Sequence, residues 1–267
     1  MTSDAVAAPV ASRVHRPGLA LGVVAAVGAI GNISGLGDWR LGMLLAIAMV
    51  LGASFVWLDY GFTDGFRRLI LERDGRALGG AFIVPALAAL VIVPVGTLVE
   101  GYGRYVVPIS LPLVLGAGVF GIGMQITNGC GSGTLVAAGQ GSRRMWVALP
   151  FFCLGGVIGS LILPAAMRLP NLGAVDLPSL FGPAWGLMAT EMVLALAALA
   201  VLRGAWPDRK MLASGSVIGG LAALLYLVSG QPWGITLGLT LWAAKSLAVF
   251  GVDLTGTEFW SETGART

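Results

Sequence analysis

Apolar runs separated by short polar or glycine-rich connections set the rhythm of this chain. Eight are readable, at residues 18–33, 41–58, 77–99, 105–127, 145–167, 184–202, 211–230 and 233–252, each near the ~20 residues a helix needs to cross a bilayer. They predict an all-α integral membrane protein of about eight hydrophobic helices. Polar tails at residues 1–17 and 256–267 bound them, leaving a single transmembrane domain over 18–255. Arg13, His15 and Arg16 ahead of the first run resemble the start of a secretory signal peptide, but the many later runs favour a retained first helix.

Composition strengthens the membrane reading. Of 267 residues 57% are hydrophobic and 11% charged, with a mean hydropathy of +0.88, against roughly 25% charged in an average soluble domain. The 41 glycines suit helices packed in lipid, where small residues let backbones approach. The net charge of +3 is therefore no sign of nucleic acid; what matters is where the cations sit. Alternate connections, namely the N-terminal tail, 59–76, 128–144 and 203–210, hold two, four, two and three Lys or Arg. The opposite set, near Arg40, Arg104, Arg168 and Gln231, holds one, one, one and none. Such cations stay on the cytoplasmic side, so the N-terminus is expected there, and with eight crossings the end of the chain as well.

One stretch interrupts the pattern, Asn128-Gly129-Cys130-Gly131-Ser132-Gly133-Thr134-Leu135, set between two long apolar runs. Irregular backbone at membrane depth is tolerated only where it is buried in protein or lines a cavity, which makes this stretch the candidate working part. Sliding the sequence by 69 residues places Gly52 on Gly121, Asp59 on Asn128, Gly61 on Cys130 and Thr63 on Ser132. The chain thus carries an internal repeat, with units about 41–100 and 110–168, in which Gly61, Phe62 and Thr63 are partners of the glycine-rich stretch. A weaker echo relates Gly31-Asn32-Ile33-Ser34-Gly35 to Gly230-Gln231-Pro232-Trp233-Gly234. Transporters built from repeats bring discontinuous helices together near the bilayer midplane.

The chemistry on offer follows from residue types. A short helix starting at Gly131 would turn free backbone N–H groups and its positive dipole end toward whatever lies beside Cys130, a welcome for an anion. Ser132 and Thr134 add hydroxyls, Asn128 an amide, and Gly129, Gly131 and Gly133 complete the set. A thiol is a weak, polarizable donor, poor for a hard oxyanion and suited to a sulfur-bearing ligand. The same surroundings suit a reactive thiolate, so a membrane sulfurtransferase using Cys130 is the enzymatic rival. That rival wants a neighbouring base, and the chain's one histidine is His15 in the tail. The plainer reading of Cys130, a small buried hydrophobe, is outweighed by the glycine break, the hydroxyls and the repeat; for Cys153, within Phe151-Phe152-Cys153-Leu154-Gly155, packing is the favoured reading.

Two cysteines and one histidine build no metal cluster, and no GxxxxGK loop is present; no catalytic residue, metal or cofactor is expected. Glu191 and Lys245 lie within apolar runs, where charge is expensive and must face protein or water. The sharp reading gives them proton coupling and guidance of an anion, the bland one a place at the membrane interface. The four arginines among residues 59–76 read as a solvated face, with Arg67 and Arg68 available as a positive vestibule or a docking patch.

The run from Gly121-Ile122-Gly123-Met124 through Asn128 to Leu135 and on to Gly139-Gln140-Gly141 resembles the central signature of the YeeE/YedE family, bacterial inner-membrane transporters of thiosulfate and related sulfur compounds. Gly61-Phe62-Thr63-Asp64-Gly65-Phe66-Arg67 looks like that family's first signature, and Trp233-Gly234-Ile235-Thr236-Leu237-Gly238 to Lys245 like its later one. The resemblance implies short re-entrant helices around a narrow path, cysteines that relay a small sulfur-containing anion by S–H contacts, and a small soluble sulfur-carrier protein as partner. Two departures stand out. Gly61 occupies the place where the first signature usually has cysteine. Family members also continue into further helices, so this chain is expected to be part of a longer one, to be completed by a second membrane chain, or to close without that part. If those departures abolish transport, a non-transporting membrane subunit is the remaining rival.

Overall fold

The computed structural model describes residues 26–32 and 39–262. The readings on residues 1–17, on most of the first apolar run, on Ile33 to Gly35 of the weaker echo and on 263–267 lie outside the described residues. A helical stretch, α1, covers 26–32. Then come α2 (Trp39–Trp57), α3 (Phe62–Leu71), α4 (Arg76–Ala81), α5 (Ile83–Leu98), α6 (Leu111–Thr127), α7 (Gly131–Gly139) and α8 (Arg143–Met167). The chain continues through α9 (Leu177–Phe181), α10 (Pro183–Leu202), α11 (Arg209–Ser229), α12 (Ile235–Val249) and α13 (Glu258–Glu262). Contacts divide the chain into two units, Met1–Ala48 and Met49–Thr267, the second of which holds α3 to α13. Among the described residues there is no strand, only an isolated antiparallel bridge between Ser110 and Asn171.

Among the described residues six helical stretches are long and apolar enough to span a bilayer: Trp39–Leu71, Arg76–Leu98, Leu111–Gly139, Arg143–Met167, Pro183–Leu202 and Arg209–Ser229. The chain is an all-α, multi-pass membrane protein. Its outer surface says the same, for α6 exposes Val114, Val119, Phe120, Ile122 and Ile126, a contiguous apolar face of the kind water does not tolerate and lipid does. Of the eight runs, the first lies mostly outside the described residues, and the last forms α12 of 15 residues. At 1.5 Å per residue α12 is about 22 Å long, short of the ~30 Å hydrocarbon thickness. The fourth run also starts later than its apolarity suggests, at Leu111 instead of Tyr105. Val106, Val107 and Pro108 favour extended backbone, Ser110 accepts a hydrogen bond from Leu113 N as N-cap, and Pro112 lies in the first turn, where its missing N–H costs nothing.

Glycines set the closest approaches. α5 packs along α11, and a Cβ added at Gly219 would stand 3.1 Å from both Leu87 Cβ and Val84 O. α12 packs on α8 in the same manner, with Gly156 against Thr240. The connections gather into two sets. Lys210 Nζ lies 3.3 Å from Asp59 Oδ2 and Asp208 N donates to Arg76 O, joining 59–76 to 203–210. Arg104 Nη1 lies 2.9 Å from Asp176 Oδ1, Gly103 N donates to Gly230 O, and Ile109 N donates to Gly173 O, joining the second set. These are the two alternating sets the charge count separates.

The end of the described chain departs from expectation. After α12 the chain turns at Asp253, whose Oδ1 accepts from Thr255 N, and returns along α8. Trp260 is 2% exposed and donates from Nε1 to Ser160 Oγ, while Glu258 pairs with Arg168 at 2.7 Å. Residues 258–262 therefore lie on the face of Arg168, not on that of the 59–76 connection. The cause is the shortness of α12, which does not carry the chain across to the other face.

Candidate functional site

The chain breaks its helices twice by the same backbone device, at positions 69 residues apart. In the first, Asp59 takes a left-handed conformation (φ 49°), Tyr60 N donates to Phe55 O, and Gly61 (φ −144°, ψ 124°) opens α3 as its N-cap. In the second, Asn128 is left-handed (φ 60°), Gly129 N donates to Met124 O, and extended Cys130 opens α7. The register is residue for residue. Asp and Asn are the side chains that best tolerate the left-handed region, so the choice of residue follows from the turn. Thr127 Oγ1 lies 3.0 Å from Gly129 O and steadies the second break. Neither N-cap supplies a side-chain hydrogen bond, so the first N–H groups of α3 and α7 keep their positive ends unspent. Gly230 (φ 74°) closes α11 in the same left-handed way before Gly234 opens α12, a third break of related form.

The two breaks meet around one cavity of about 330 Å³. Of the residues picked out from the sequence, Gly61, Phe62 and Thr63 line it from the first unit, and Asn128, Gly129, Cys130, Ser132 and Gly133 from the second. Cys130 Sγ lies 3.2 Å from Ser132 Oγ, so the thiol and hydroxyl form a pair in which either can donate. Gly61 leaves its place open: a Cβ built there meets no heavy atom within 4 Å. At Gly129, by contrast, a Cβ would stand 3.0 Å from Thr134 Oγ1, so a side chain there would press on that hydroxyl.

Gly131 and Thr134 do not line the cavity. Gly131 is buried behind it, where a Cβ would meet Phe152 of α8 at 3.1 Å and Thr236 Oγ1 of α12 at 3.7 Å, and Thr134 is 2% exposed. Glu191 on α10 and Lys245 on α12 also stand outside the lining. Glu191 Oε1 is buried without a hydrogen-bond partner, and Lys245 is exposed. Cys153 is unpaired and lines a separate apolar space with Trp146, Leu149, Trp242 and Phe250.

The lining also includes Tyr60, Asp59 and Asp64, none of them singled out as ligands in the sequence. Tyr60 is 6% exposed, its ring held edge-on to Phe55 and Phe62 at 5.8 and 5.1 Å, and its hydroxyl has no hydrogen-bond partner while standing within electrostatic reach of Cys130. The repeat pointed there, since Tyr60 is opposite Gly129, but unlike residues at paired positions hid the signal. Asp59 and Asp64 also line the cavity, and each is paired, with Lys210 at 3.3 Å and with Arg68 at 2.8 Å. Exposed pairs of this kind add little stability. Their effect is to cancel negative charge at the rim, which leaves the N–H, hydroxyl and thiol donors to set the character of the interior. Trp233, from the later signature, packs its ring 5.7 Å from Phe55 and backs the same wall.

The sulphur transport family model matches residues 59–211, more than half of the chain and all of both breaks. The chain is 26% identical over 197 residues to the probable transporter YedE of Salmonella typhimurium, covering 71% of this chain and 47% of that protein. It is 27% identical over 138 residues to the thiosulfate transporter TsuA of Escherichia coli, covering 51% and 34%, and 29% identical over 175 residues to the Escherichia coli probable transporter YedE, covering 62% and 42%. The matched regions span less than half the length of each of these relatives.

Proposed function

This chain belongs to the sulphur transport family, the YeeE/YedE family its motifs resemble, and from that premise we propose that it passes a small sulfur-containing anion, thiosulfate foremost, across the bacterial inner membrane. The observation that carries the proposal is the single cavity of about 330 Å³ in which both broken helices present their N-caps, with the Cys130 thiol beside them. An anion entering it meets two uncapped helix ends, the Ser132 hydroxyl and the Asn128 amide, and it reaches the enclosed Tyr60 hydroxyl when that ring turns from the wall. The thiol is a soft donor matched to the terminal sulfur, while the oxygens take the harder donors. Gly61 leaves a gap that lets the solute pass the first break without a second sulfur contact. A sulfurtransferase would need a free base at the thiol, and the carboxylates lining the cavity are engaged with Lys210 and Arg68.

Uptake of radiolabelled thiosulfate into proteoliposomes is the test. Cys130→Ala should cut the initial rate by about tenfold or more, the loss expected when a partner of a charged ligand is removed, with the protein still monodisperse in detergent. Normal uptake by that variant would take the thiol out of the path. Product formed without uptake would favour the enzyme, and neither activity a non-transporting subunit.

A further inference from the structure

A separate cavity, of about 500 Å³, also reaches Asn128. It is lined by Arg67 and Leu71 of α3, Gln125 of α6, Arg144 of α8 and Asn128 itself, with Ile70 at its edge. Asn128 is common to both cavities. Among the described residues neither arginine meets a carboxylate, although the neighbouring Arg68 is held by Asp64. Arg144 gives Nη2 to Ile126 O, which leaves its other donors unused. Gln125 Nε2 is shut away from solvent with no hydrogen-bond partner. Arg143 and Arg144 also occupy the first turn of α8, which has no acidic residue and no side-chain cap. Cations at the positive end of a helix repel it, so α8 itself offers these two arginines no compensating charge.

We propose that Arg67, Gln125, Asn128 and Arg144 form an oxyanion-binding site distinct from the Cys130 cavity and joined to it at Asn128. Two guanidinium forks and two amides are the donor set that tetrahedral oxyanions take, by charge-assisted and bidentate bonds. The oxyanion has two sources. A dissolved thiosulfate would use the site as a station beside the central cavity; a lipid phosphate would reach it past Ile70 and Leu71, which are 67% and 69% exposed.

The experiment takes the full-length Cys130→Ala chain as parent, so that it stands whether or not the thiol contacts the solute. In phosphatidylcholine nanodiscs, equilibrium binding of labelled thiosulfate is measured; in nanodiscs containing phosphatidylglycerol, retained lipid is counted by native mass spectrometry. Arg67→Gln with Arg144→Gln should weaken one of these by about tenfold, given the strength of charge-assisted bonds, and which one falls names the source. Gln125→Glu leaves both arginines in place but supplies their missing carboxylate, and should weaken the same binding. A parent that holds neither thiosulfate nor phosphatidylglycerol, or folded variants that hold both as the parent does, would overturn the site.

Discussion

A phenol oxygen shut away from water without a partner, as in Tyr60, costs about 1–3 kcal/mol. Phenylalanine at that position keeps the ring against Phe55 and Phe62 and removes the cost. Tyr60→Phe should therefore be as stable as the parent in detergent thermal unfolding, or more stable by up to about 1 kcal/mol. Uptake should move the other way. A hydrogen bond to a charged ligand is worth about 1.5–3 kcal/mol, so the rate should fall by about tenfold or more, and an unchanged rate would mean that the hydroxyl never meets the anion. Gly61 gives the converse experiment. Its extended backbone and empty surroundings accept a side chain without strain, so Gly61→Cys should shift stability by less than about 0.5 kcal/mol and raise thiosulfate uptake; a slower variant would show that the gap, not the missing thiol, matters there.

At the scale of elements, the recurring unit is the helix, left-handed residue, extended N-cap and short helix in series, used twice. The 69-residue register paired the two stretches before any coordinates, while the left-handed turn at Asp59 and Asn128 is seen only in the structure. Asn128→Val forces a β-branched residue into the left-handed region, a penalty of about 1–2 kcal/mol, and should lower thermal stability by that amount and abolish uptake. Asn128→Gly keeps the turn and loses only the amide, so it should fold normally with reduced uptake. Equal stability of the two variants would mean that the left-handed turn is not what holds the break. What the repeat did not reveal is which residues of α7 face the cavity. Gly131 and Thr134 turn inward toward Phe152, Thr236 and Gly129, a choice made by neighbouring helices and by nothing in the motif.

For the molecule as a whole, sidedness is the property to test. The connections that the charge count puts together also touch one another, through Asp59 with Lys210 on one face and Arg104 with Asp176 on the other. With Cys130 and Cys153 replaced by alanine, Glu72→Cys should be labelled by an impermeant maleimide only from the cytoplasmic side and Leu172→Cys only from the outside; labelling of both from one side would overturn the orientation.

Membrane class, the positions of most helices and the place of the glycine-rich break were settled by the sequence alone, because apolar length and glycine content are local demands that each segment meets by its own composition. Tertiary structure alone decided that Tyr60 joins Cys130 in one cavity, that Asp59 and Asp64 are neutralised by Lys210 and Arg68, and that the chain turns back after α12 to bury Trp260 against Ser160. Most of those outcomes depend on how closely helices distant in sequence approach one another, and that distance is set by the packing of pairs such as Gly219 on Val84 and Gly156 on Thr240, which no single segment contains.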